Sequence, residues 1–192
     1  MRIFFLCGIV AALSFSPLSV ADTCRSLYDE GDIRGAINQC QIESSEGAWA
    51  SYALGNMHLE TNLIKAIRWY KKGALLNEPN SQYMLGRLAQ RGMLGVQEGE
   101  SVYDWYLSAY ISGHDEAGQA YASYLRDIFS RQAITWQERD ALMQLVGGFS
   151  SGKAVDLDTL ALFFEKGRYG LVRDESHAKK LRSIKGLMIA GG

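Results

Sequence analysis

Gly147-Gly148-Phe149-Ser150-Ser151-Gly152-Lys153 has the glycine and lysine spacing of a phosphate-cradling loop, where backbone N–H groups and a lysine ammonium neutralise phosphate oxygens. Such a loop needs Ser or Thr after the lysine to hold magnesium, and Ala154 stands there instead. A helix-forming stretch, Arg139 to Val146, precedes it where a strand is required. The segment is therefore expected to be a flexible Gly/Ser connector between helices. His58, His114 and His177 are the only histidines; they lie far apart, and none has a partner at metal-ligand spacing. Structural or solvated roles are expected for all three. No His-Glu-x-x-His pair occurs. The sequence gives no reason to expect an enzyme, a metal or a cofactor.

Three cysteines remain to be placed, Cys7, Cys24 and Cys40. Arg2, an apolar run from Ile3 to about Leu18, and Ser19-Val20-Ala21 before Asp22 form the pattern of a secretory signal cut after Ala21. Cys7 would leave with it. The apolar run is shorter than the ~20 residues of a spanning helix, so no stable membrane span is expected after cleavage. Cys24 and Cys40 are then an even pair in an exported chain, which favours a disulfide. A turn at Gly31-Asp32 would fold this segment into two antiparallel helices with both thiols at similar height. Two thiols without a neighbouring histidine make only half a zinc site. Bridged, neither can serve as a thiolate nucleophile.

Residues 22–192 suffice for one domain with a continuous core. The formal net charge of the whole chain is −1, and losing Arg2 takes it to −2. No basic excess exists to draw nucleic acid.

The elements that must position these residues are helices. Proline occurs only at 17 and 79, and Pro79 falls where a helix would begin. Ser101 to Asp104 and Thr135 to Glu138 have capping-box spacing. Strand-like alternation is absent. Five antiparallel pairs are predicted, over about 22–44, 48–77, 79–112, 114–147 and 156–188, in an all-α chain. Ala66 to Ala74, containing Trp69-Tyr70, returns in altered form around Trp105-Tyr106, and each follows a Leu-Gly, Leu54-Gly55 and Leu85-Gly86. The offsets of 31 and 36 residues are those of stacked helix pairs. Small residues of the first helix would let the second approach closely. The aromatics Trp69, Tyr70, Trp105, Tyr106, Phe163 and Phe164 occupy repeat positions and are expected in the core, rather than in an exposed sugar-stacking strip.

Small-x-x-Trp-Tyr-x-x-small-small, preceded by Leu-Gly and a Gly-x-x-Gly-Val loop, resembles the Sel-one-like repeat family, a relative of the tetratricopeptide repeat. The match is strongest over Leu85 to Gly113 and Leu160 to Ala178; the unit at 114–147 is degenerate, keeping Tyr121-Ala122 and a displaced Trp136. The resemblance implies a right-handed α-solenoid whose first helices line a concave face. It also implies an adaptor role in bacterial envelope complexes, including polysaccharide export and flagellar motor assembly. Cysteine-rich relatives bind or hydrolyse β-lactams, but they carry cysteines in most repeats, and this chain has one pair.

Registering Leu54 on Leu85 places Tyr52 with Tyr83 and Asn56 with Arg87, and Gln90 follows one turn later on the same face. Tyrosine and arginine in a groove are typical contact anchors. Tyr52, Asn56, Tyr83, Arg87 and Gln90 are therefore the expected partner-binding residues of a periplasmic adaptor for a protein partner.

Overall fold

In a computed structural model, residues 20–45, 47–94, 101–151 and 155–190 are described, and these contain ten α-helices and no strand. They are α1 (Val20–Asp29), α2 (Ile33–Glu43), α3 (Ala48–Leu59), α4 (Leu63–Leu75), α5 (Pro79–Gln90), α6 (Val102–Ile111), α7 (Ala117–Ser130), α8 (Trp136–Ser151), α9 (Leu157–Lys166) and α10 (Glu175–Ala190). The expected signal segment lies almost wholly outside the described residues, as do Gly95 and Val96 of the expected glycine loop. Among the described residues, no helix is long and apolar enough to cross a membrane.

Local chemistry sets the boundaries. Asp32, Asn62 and Asp156 each accept a hydrogen bond from the backbone N–H three residues on, satisfying a donor that the first turn leaves unpaired. Pro79 opens α5, and the capping boxes at Ser101/Asp104 and Thr135/Glu138 both form. Gly31, Gly92 and Gly167 close turns at positive φ, where a side chain would be strained. The Gly31 turn brings α2 back along α1, and the Cys24–Cys40 bridge ties them with their Cα atoms 4.8 Å apart. Both cysteines are fully buried. A bridged pair is compatible with an oxidising, exported setting.

From α1 to α8 each helix packs on the next, and α9 packs on α10. Two of these pairs share one device. A Cβ on Gly55 would overlap the Tyr70 ring, and one on Gly86 would lie 2.6 Å from the Tyr106 ring. Each tyrosine is thus laid flat on a bare stretch of the preceding helix. Its hydroxyl then donates back to that helix, Tyr70 to Asn56 and Tyr106 to Gln90, each at 2.7 Å. Tyr52 and Tyr83 sit beside them, with ring centroids 6.3 and 5.7 Å away. Tyr70, Tyr106 and Phe164 are buried, while Trp69, Trp105 and Phe163 are half-buried.

The C-terminal half departs from the expected layout. Helices α6 to α10 share one core that includes Leu107, Tyr121, Leu125, Phe129, Phe149, Leu160, Phe164 and Leu181. Tyr103 of α6 meets Phe164 of α9 at 4.9 Å, so the last pair leans on the second helix of the third pair. Gly147 to Ser151 continue the helix that runs from Trp136, and a Cβ at Gly147 would meet only the Arg126 guanidinium, at 3.7 Å. The expected connector therefore begins later, and Gly152, Lys153 and Ala154 lie outside the described residues. Trp136, the displaced aromatic of the degenerate unit, is 74% exposed where it opens α8.

Candidate functional site

Two polar constellations stand out, one closed and one open. The closed one joins three helices. His177, near the start of α10, is fully buried among the rings of Tyr103, Tyr121 and Phe164. Its Nδ1 lies 2.7 Å from Asp104 Oδ1 and its Nε2 2.8 Å from Tyr121 Oη. Both ring nitrogens therefore have a partner, one the carboxylate and the other the phenol. Burial pushes the Asp104 carboxyl up, but the hydrogen bond and charge of His177, with the Ser101 hydroxyl and Lys180 ammonium, outweigh it and hold it below the usual range. Burial raises the Tyr121 phenol well above its ordinary value, so it stays protonated. Asp104 is used twice, since its other oxygen completes the α6 capping box. The order Asp–His–Tyr resembles a proton relay, but with His177 sealed from solvent it joins α6, α7 and α10 rather than facing a substrate.

The open constellation is a cleft of about 440 Å3 between α5, α6 and α7, lined by Tyr83, Arg87, Gln90, Arg91, Tyr106, Ala120 and Ser123. Tyr83, Arg87 and Arg91 recur every fourth residue, so α5 presents them on one side. Tyr83 is fixed from two directions: its ring stacks on His114 with centroids 4.0 Å apart, and its hydroxyl donates to Glu116 at 3.1 Å. Burial and the neighbouring Tyr83 push the Tyr106 phenol up to about 12, while Arg87 and Arg91 pull the other way. Among the described residues, none of those lining the cleft is acidic, and the Glu116 carboxylate that accepts from Tyr83 stands beside it. Two guanidinium forks beside tyrosine rings suit a carboxylate with an adjoining apolar or peptide portion.

Of the five residues expected to bind a partner, Tyr83, Arg87 and Gln90 meet in this cleft. Tyr52 and Asn56 do not. Tyr52 packs beside Tyr70, and Asn56 is occupied on both sides, accepting from Tyr70 and contacting Tyr28 Oη at 3.3 Å. In its role toward the tyrosine, Asn56 corresponds to Gln90 rather than to Arg87, one turn away from the residue that register alone matched. Sequence reasoning missed Arg91, although its spacing from Arg87 is a visible signal. It also missed Ser123 and Ala120, which reach the cleft only once α7 docks. The His177–Asp104 pair, 73 residues apart, had no local signal beyond an Asp in a capping box.

His58 lines a separate groove on α4, and His114 serves as the plate under Tyr83. Among the described residues, no group of three or more His, Cys, Asp or Glu side chains is placed to hold a metal ion. No family model, curated protein or solved structure matches the chain.

Proposed function

We propose that this protein is an exported helical-repeat adaptor that binds an acidic segment of a protein partner in the α5–α7 cleft. The observation that carries this reading is the convergence of Arg87 and Arg91 with Tyr83, Tyr106 and Gln90 in one open cleft. Aromatic and arginine side chains in such a setting are the usual anchors of a binding surface, and the guanidinium geometry selects carboxylates. The pairs are read as a right-handed solenoid of the Sel-one-like type, cleaved after Ala21 and resident in the periplasm. There it would assist assembly or regulation of an envelope complex, with polysaccharide-export or motor machinery as candidate settings. The reading is one of binding rather than catalysis, and it calls for no cofactor.

Selection from a random peptide display library tests this. Enriched peptides should carry Asp, Glu or a free C-terminal carboxylate beside an aromatic or aliphatic residue. The enrichment should vanish when the bait is the Arg87→Glu/Arg91→Glu variant. Enriched peptides without an acidic group, or the same set on both baits, would remove the reading.

A further inference from the structure

Helix α4 carries Lys65, Arg68, Lys71 and Lys72 and no acidic residue, in a chain whose formal net charge is −1. Lys65, Arg68, Trp69 and Lys72 are three or four positions apart and share one side of the helix. With Gln41 of α2 and His58 of α3 they line a cavity of about 400 Å3 in whose wall, among the described residues, no carboxylate stands. Among the described residues, Lys65 and Arg68 have no acidic partner. Lys72 is held in place, its Nζ donating to Ser44 Oγ at 3.3 Å and lying 5.3 Å from the Trp69 ring centroid. Like charges at these spacings repel one another and weaken a helix. Here the repulsion is concentrated around an indole and a cavity in the size range of small-molecule pockets, roughly 300–1,000 Å3.

We propose that this groove binds a small organic phosphoester, with its phosphate on Arg68, Lys65 and Lys72 and its apolar part against Trp69. A phosphate brings up to two charges and three acceptor oxygens to three cations, whereas a carboxylate brings one charge and two oxygens. The guanidinium of Arg68 matches two phosphate oxygens at once, and the two ammonium groups act as point charges. The site is on a different helix pair from the α5–α7 cleft, so the two readings fail independently. A soluble phosphoester and the headgroup of an anionic lipid share the chemistry.

Phenyl phosphate is the probe, titrated into the full exported chain by calorimetry with indole fluorescence as a second readout. One saturable site is expected, weakened at least tenfold by Arg68→Glu and by Lys65→Glu. Both side chains are exposed, so charge reversal leaves the core intact, as circular dichroism should verify. Lys179→Glu, at an exposed position on α10, should leave the affinity unchanged. Competition by vesicles of phosphatidylcholine with phosphatidylglycerol would assign the site to a lipid headgroup, and lack of competition to a soluble ligand. Absence of saturable phenyl phosphate binding overturns the proposal, whatever the vesicles do. So does equal affinity in both charge-reversal variants.

Discussion

The imidazole of His177 meets a carboxylate on one edge and a phenol on the other, and none of its surface reaches water. Truncating it would strand Asp104 in the core. His177→Ala should therefore cost about 3 kcal/mol, the range for breaking a buried charged pair, as read from urea unfolding. In a double-mutant cycle with Asp104→Ala, the two losses should fall well short of adding, because each removes the same interaction. Asp104 also sets a pH dependence. Its carboxyl is held below the unfolded value of 3.8, so the native state favours its ionised form. The stability this confers is present above that value and is lost as pH falls through the lower folded one. Unfolding midpoints should drop between about pH 5 and pH 2 in the parent protein, and less steeply in Asp104→Asn, which starts from lower stability. None of this was legible from the sequence. Asp104 announced only its capping role, and His177 had nothing within its own helix to mark it.

At the scale of the element, much more was visible. Cap residues, the Pro79 start and the Gly31 turn are decided by neighbours a few positions away, so the helix boundaries could be anticipated within a few residues for most pairs. The Leu-Gly followed by Trp-Tyr pattern also carried its own geometry: a bare glycine on one helix receives a tyrosine ring from the next. The C-terminal half was harder because α9 and α10 settle on α6 and α7 through residues far apart in the chain. Trp136 shows the limit: displaced from the repeat position, it stands exposed at the first turn of α8, and its spacing did not say where it would point. The Cys24–Cys40 bridge belongs to this scale too, since it fastens a first pair that, among the described residues, leans on α3. Its 16-residue separation corresponds to about 3 kcal/mol in the chain-entropy view. Cys40→Ser should lower the thermal midpoint and make the first pair the earliest site of protease cutting. An unchanged midpoint with unchanged cutting would deny the bridge any such role.

For the molecule as a whole, the arrangement combines a rigid interior with two charged recesses on different helix pairs. The interior is tied by tyrosine hydroxyls that reach back to the previous helix and by the His177 lock, so the recesses have fixed walls. Half of the candidate cleft could be read in advance, because Tyr83, Arg87 and Gln90 follow from helical spacing. The other half depends on where α7 comes to rest, which no local pattern encodes. The account stands or falls on whether that cleft holds an acidic guest. The direct measurement is fluorescence anisotropy of a labelled peptide bearing paired glutamates and one aromatic residue, titrated with the parent protein and with Arg87→Glu/Arg91→Glu. Saturable binding that weakens at least tenfold in the variant and with rising salt is the predicted result. Equal binding by both proteins, or none by the parent while a neutral peptide of the same length binds, would contradict it.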